Sequence, residues 1–259
     1  METPLAHIVL YGPPGTGKSE LASSIPGTKL IGLFDPIGHG LPYLRRYANK
    51  RTRDVVVVRG AASIIDTIES YDKEDTAKLC SKLWHFGANL QGKQQFDIKR
   101  TILVEECVAI DASVFIFDSL TLFTTAMRIL TKQQGIIDDE QAAYAITDYV
   151  EQLCASLASL PITTVLIAHI SDQNVKFRGQ VVRKENYINA PGRMARNIKS
   201  MFSDVWYCFV DDEGKHYVQT QTRGDHEARN TFNSDPVCEV KLNEQFYEVT
   251  KHREPILWI

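Results

Sequence analysis

The chain is poor in the residues that would cross-link it. Its five cysteines, Cys80, Cys107, Cys154, Cys208 and Cys238, are odd in number and form no C-x-x-C pair. This argues against a disulfide framework and a cysteine-rich zinc site, and it suits a reducing compartment. Apolar runs approaching about 18 residues are missing, so neither a transmembrane helix nor a membrane partner is expected. A basic stretch leading into an apolar one, the mark of a secretory signal, is also missing, and a cytoplasmic location is expected. Neither sign of charge dominates: 29 Lys and Arg stand against 32 Asp and Glu, for a net charge of −3. A nucleic-acid surface, if there is one, must therefore be local. Repeats and low-complexity segments are absent as well. What remains is 44% apolar residues in a chain of 259, enough to bury one full core.

Strand-like and helix-like segments alternate along the chain, which predicts an α/β fold with a mainly parallel twisted sheet. Strands are expected at 7–11, 29–34, 54–59, 114–117 and 163–168. Ile146, Val150, Leu153, Leu157 and Leu160 recur at spacings of three and four, as on the buried face of a helix that Pro161 closes. Shorter strand-like segments at 204–210 and 216–222 would extend the sheet in antiparallel fashion. The whole of 1–259 reads as a single domain, with 72–111 a helical, insertion-like segment and 230–259 a C-terminal extension.

One stretch carries specific chemistry. Gly12-Pro13-Pro14-Gly15-Thr16-Gly17-Lys18-Ser19 fits G-x-x-x-x-G-K-[ST] and lies between a strand and a helix that runs on through Glu20. Glycines let the backbone wrap a phosphate chain with its amides turned inward. Lys18 reaches the terminal phosphates, and the Ser19 hydroxyl suits Mg²⁺. ATP and Mg²⁺ are the expected cofactors. Four apolar residues followed by Asp118 read as a second Mg²⁺-binding element, a Walker B strand, at the carboxyl edge of the sheet. Asp35, at the end of the second strand, is the best-placed carboxylate to orient water; its competing role is to cap the turn before Pro36. His39 is a weaker candidate for the same task. His169, at the end of the fifth strand, is placed to sense the γ-phosphate, or simply to make a local hydrogen bond.

In order and spacing these features resemble the RecA-like ATPases. The resemblance is closer to the phage recombinases of the Sak single-strand-annealing group and related phage nucleotide-binding proteins. It rests on the P-loop, Phe34-Asp35, Phe117-Asp118-Ser119-Leu120-Thr121, Leu166-Ile167-Ala168-His169, Gly192-Arg193, Phe202-Ser203-Asp204-Val205-Trp206, Gln221-Thr222-Arg223 and Glu227-Ala228-Arg229, over roughly residues 7–230. It implies a RecA-like P-loop core and a homo-oligomeric ring or filament with nucleotide between subunits. It also implies single-stranded DNA as partner, and a host cytoplasm if the protein is phage-encoded. A single-stranded-DNA-binding protein is a further candidate partner. A trans-acting basic residue is implied late in the chain, and Arg229 matches it, whereas Glu227 stands where the family has lysine. The family's catalytic glutamate falls near Ile37 or Gly38, so hydrolysis would rest on Asp35 or be slow.

Residues 173–199 hold Lys176, Arg178, Arg183, Lys184, Arg193, Arg196 and Lys199 against one acid, Glu185, with Phe177 and Tyr187 interleaved. That mixture suits phosphate neutralisation and base stacking on single-stranded DNA, and the segment follows His169, where RecA-like proteins carry a DNA-binding loop. A solvated loop followed by a basic helix face is the competing reading. The function these features predict is ATP-dependent single-stranded-DNA binding with ATP hydrolysis. An AAA+-type motor or loader, a small-molecule kinase and a non-hydrolysing DNA-binding scaffold stand as alternatives. Ser119, where an AAA+ protein would follow Walker B with glutamate, and the strand-like C-terminal third argue against the first.

Overall fold

The computed structural model describes residues 5–25, 29–33, 55–59, 114–133, 139–177, 180–232 and 235–240. In chain order its elements are β1 (His7–Gly12), α1 (Lys18–Ser23), β2 (Lys29–Leu33), β3 (Val55–Arg59), β4 (Val114–Asp118), α2 (Leu120–Gln133), α3 (Asp139–Leu157), β5 (Thr163–Phe177), β6 (Gln180–Ile188), α4 (Met194–Met201), β7 (Asp204–Val210), β8 (His216–Gln219) and β9 (Val237–Glu239). The described strands form one sheet in the order β3-β2-β4-β5-β1-β7-β8-β9, with β6 paired to β5. Pairing is parallel from β3 to β7 and antiparallel for β7–β8, β8–β9 and β5–β6.

The alternation of side chains explains why the sheet is covered on both faces. In β1, Val9 and Tyr11 enter one core cluster while Ile8 and Leu10 enter the other; in β4, Phe115 and Phe117 divide in the same way from Val114 and Ile116. A strand apolar at every position needs packing on both sides, which the helical connections between parallel strands supply. On the first face lie Leu120, Phe123 and Met127 of α2, the stripe Ile146, Tyr149, Val150, Leu153, Cys154 and Leu157 of α3, and Met194 and Ile198 of α4. The second face receives Leu21 and Ala22 of α1, with Ile25 and Phe232. This is the expected fold class: a P-loop α/β core of mainly parallel strands flanked by helices, with antiparallel strands towards the C-terminus. Within the segment set apart as a C-terminal extension, Phe232 packs into the core and β9 adds to the sheet.

One element differs from expectation. β5 does not end at His169 but continues to Phe177, and β6 returns beside it from Phe177↔Gln180 to Ile170↔Ile188. The expected loop is thus a β-hairpin, with its register shifting between Val175 and Lys176. Ser171-Asp172-Gln173-Asn174 reads as loop because a hairpin extending past the sheet needs no apolar alternation to hold it. The expected segment 72–111, Asp35, His39 and Arg178 lie outside the described residues.

Candidate phosphate-binding site

Parallel pairing gathers the site at one edge. Gly12, the last residue of β1, is the register partner of His169 on β5, and Asp118, the last residue of β4, is the partner of Ile167. Leu33 on β2 pairs with Asp118 in turn. The carboxyl ends of β1 and β4, with β5 running on between them, thus bring Gly12, Asp118 and His169 to one edge of the parallel sheet.

The loop after β1 takes its shape from glycine. Gly15 and Gly17 have φ of 77° and 83°, and Gly17 starts α1, its carbonyl accepting from the Leu21 amide at 2.9 Å. Thr16 Oγ1 donates to the Pro13 carbonyl at 2.9 Å and closes the turn. Lys18 is buried and points into this cradle: Nζ donates to the carbonyls of Pro13 at 2.6 Å and Gly12 at 3.0 Å, and to Thr16 Oγ1 at 3.3 Å. An ammonium held among backbone atoms of a phosphate loop is poised to exchange these acceptors for phosphate oxygens. Ser19 Oγ donates to Asp118 Oδ2 at 2.6 Å across 99 positions of chain. This joins the hydroxyl and carboxylate that the sequence assigns to Mg²⁺, a donor set of hard oxygens suited to that ion. Loop, buried lysine and serine–aspartate pair together fit a Mg²⁺–nucleotide. Glu20 sits half-buried in the first turn of α1.

Behind the loop, Cys208 of β7 is fully buried, and burial pushes its thiol up to about 12 although Lys18 pulls the other way. It acts as a neutral packing residue. On the other side, Asp118 joins Ser119 through a cis peptide. Ser119 starts α2, its Oγ accepting from the Leu122 amide at 3.4 Å and its carbonyl from the Phe123 amide at 3.0 Å. Thr121 in the first turn of α2 is buried; its Oγ1 accepts from the His169 amide at 3.0 Å. In the sequence Thr121 stands only as the last residue of the stretch Phe117-Asp118-Ser119-Leu120-Thr121, with no role of its own.

The basic segment divides in the structure. Arg193 is held by two carboxylates of α3: Nε donates to Glu151 Oε2 at 3.1 Å, and one terminal nitrogen bonds both Glu151 and Asp148, at 2.9 Å to the latter. Lys199, counted with the basic surface in the sequence, is buried on α4 with Nζ 4.4 Å from the centre of the Tyr11 ring. Burial lowers its pKa, with the Glu227 carboxylate opposing. Arg196 is exposed and lies over the Tyr187 ring at 5.1 Å, a cation–π pair at the root of the hairpin. Lys176, Phe177, Arg183 and Lys184 are placed by backbone register: Lys176 opposite Val181, Phe177 opposite Gln180, Arg183 opposite Val175 and Lys184 opposite Asn174.

Arg229 is engaged at the end of α4. Its backbone bridges Val205 of β7, and one guanidinium nitrogen donates to the carbonyls of Lys199 and Phe202 at the end of α4. Where the sequence suggests an arginine finger for a neighbouring subunit, the structure has a side chain engaged within its own chain.

No helix among the described residues is long and apolar enough to cross a membrane. A search of curated proteins finds no match. Among solved structures, similarity is found to a KaiC-like protein from the hyperthermophilic archaeon Pyrococcus horikoshii OT3, with 12% identity and a TM-score of 0.43 over 91% of this chain and 89% of that one. The flagellar accessory protein FlaH from Methanocaldococcus jannaschii gives 10% identity and a TM-score of 0.47 over 93% and 87%. A type III secretion ATPase from pathogenic bacteria gives 13% and 0.40 over 80% and 51%. A family model described as AAA domain matches residues 6–232, from the start of β1 to the last core phenylalanine. With the phosphate loop and the Ser19–Asp118 pair inside that span, the chain belongs to this AAA-domain family (AAA_24) of P-loop ATPases.

Proposed function

We propose that the protein is an ATP-dependent single-stranded-DNA-binding ATPase of RecA-like type, acting in recombination or annealing, with phage origin in keeping with the sequence resemblance. The observation that carries this reading is the continuity of β5. The strand that pairs Gly12 with His169 runs on without a break into the hairpin bearing Lys176, Arg183 and Lys184. A change at the phosphate edge therefore has a direct covalent route to a basic, aromatic-containing segment. Lys18 and the loop amides bind phosphate, Ser19 and Asp118 hold Mg²⁺, Asp35 orients the attacking water, and His169 reads the γ-phosphate. Bound there, Mg²⁺–ATP supplies the phosphoanhydride to be cleaved and neutralisation of its charge. Assembly into a homo-oligomer and a single-stranded-DNA-binding protein as further partner belong to the same reading.

A second reading, an AAA+-type motor or loader, draws on the family description. Such proteins carry a helical lid after the core; here the described residues after β6 give one short helix and then β7 to β9, which favours the first reading.

ATP hydrolysis measured with and without oligo-dT tests the proposal. Single-stranded DNA is expected to raise turnover severalfold. Lys18→Ala is expected to abolish both nucleotide binding and turnover, since it removes the principal phosphate cation. Stimulation by a small phosphate acceptor instead of DNA would identify a kinase, and stimulation by neither would overturn the DNA assignment.

A further inference from the structure

We propose that Thr121 is the positioning residue that couples the phosphate site to the hairpin, through a hydroxyl that ties both of the hairpin's roots to the start of α2. Thr121 Oγ1 accepts from the amide of His169, where β5 leaves the main sheet, at 3.0 Å. The same oxygen donates to the carbonyl of Asn189, immediately after β6, in a longer contact of 3.4 Å. The ring closes between the two roots, where the Asn189 amide donates to the His169 carbonyl at 2.7 Å. Thr121 is buried, so water competes little for its hydroxyl.

The other end of the path is equally short. Asp118 holds Ser19 at 2.6 Å and is followed directly by Ser119, whose carbonyl and side chain accept the first amides of α2. A displacement of Asp118 therefore moves the N-terminus of α2 as a unit, and Thr121 with it. The Thr121 carbonyl accepts from the hydroxyls of Thr124 and Thr125, each at 2.9 Å, which stiffens that first turn. Backbone hydrogen bonds hold the hairpin together along its length, so moving its roots re-aims the whole hairpin. The alternative route, through the His169 side chain, needs that ring to respond; the Thr121 route needs only hydrogen bonds already present. The inference deepens the proposed function, and rests on it only for what the hairpin grips.

Hydrogen exchange of the full-length protein, with and without Mg²⁺ and a non-hydrolysable ATP analogue, tests the coupling without DNA. In the parent protein the nucleotide is expected to slow exchange over residues 169–189 by about fivefold or more, the lower end of ordinary coupling between sites. Thr121→Ser keeps the hydroxyl and is expected to retain that response. Thr121→Val keeps the volume and is expected to bind the analogue within about threefold of the parent while losing the hairpin response. A hairpin response preserved in the valine variant, or absent from the parent, would overturn the proposal. So would loss of the response in both variants alike, which would point to packing and not to the hydroxyl. Oligo-dT separates this inference from the functional reading: an intact exchange response in a protein that DNA does not stimulate leaves the coupling standing and removes only the DNA partner.

Discussion

Gly12 has no room for a side chain. Its φ is +153°, and a Cβ built there would stand 2.1 Å from the carbonyl oxygen of Cys208 on β7. Backbone meets backbone, so neither partner can step aside as a flexible side chain would. The position thus does two things: it ends β1 as a full ladder partner of His169, and it lets the phosphate loop leave the sheet directly against its neighbour. Gly12→Ala is expected to cost about 3 kcal/mol or more, the range of combined backbone strain and overpacking. For a chain of this size that lowers the melting temperature by roughly 10 °C, which thermal unfolding followed by circular dichroism would record. Gly15 has the other kind of requirement, with φ of +77° and open space around its missing side chain. Alanine there is expected to be felt in the loop's conformation and much less in the fold, because strain acts without a clash. An unchanged melting temperature in Gly12→Ala would show that β7 can move away and that the close approach does not hold the loop in place.

At the scale of elements, α4 shows how a buried charge can be mistaken for a surface one. Met194, Ala195 and Ile198 point into the core, and Lys199, four residues after Ala195, lies on the same face. Its ammonium meets the Tyr11 ring, while the Tyr11 hydroxyl donates to the Glu227 carbonyl at 2.6 Å. The helix then ends on Arg229, whose guanidinium collects the carbonyls of Lys199 and Phe202, as cations do at helix C-termini. Asp204 steadies the same strip: its carboxylate accepts the Thr231 amide at 2.6 Å and the Ser203 hydroxyl at 2.6 Å, bonds that partly offset the rise in pKa caused by its burial. Arg229→Ala is therefore expected to destabilise the protein by about 2 kcal/mol, the scale of charge-assisted bonds lost from buried carbonyls. Equilibrium denaturation would measure this. A finger acting on a neighbouring subunit predicts the opposite pattern: full stability, no turnover, and partial rescue on mixing with Lys18→Ala. β7, like β1, β4 and the first half of β5, was legible in the sequence because burial on both faces leaves a continuous apolar run. The hairpin was not, because its pairing is carried by backbone and its residues are polar. Lys18, Ser19 and Asp118 were legible through motif spacing. The link from Asp118 to the hairpin was not, since one threonine hydroxyl between two backbone groups leaves no pattern along the chain.

For the molecule as a whole, a net charge of −3 means that DNA gains nothing from bulk attraction, and any grip must come from cations close to the phosphates. The fold narrows the cations of 173–199 that the proposed DNA reading can draw on. Lys199 is buried on α4, and Arg193 is paired with Asp148 and Glu151 on α3; the candidates that the proposed reading then rests on are Lys176, Arg183 and Lys184 on the hairpin strands, Arg196 at its root, and Arg178, which lies outside the described residues. Each phosphate neutralised on a single strand contributes about −0.7 to the slope of log affinity against log salt concentration, so five contacts give a slope of about −3.5. Fluorescence anisotropy of labelled oligo-dT, in the presence of a non-hydrolysable ATP analogue and over a range of salt concentrations, measures that slope. Lys184→Ala is expected to make it shallower by about 0.7, because one released counterion is lost. Arg193→Ala is expected to leave the slope unchanged, because its charge is already paired within the protein. Equal changes in the two variants would mean that Arg193 leaves α3 when DNA binds, and that the binding surface extends from the hairpin across the start of α4. A slope near zero in the parent protein would remove phosphate contacts from the hairpin altogether, and with them the physical basis for assigning it to DNA.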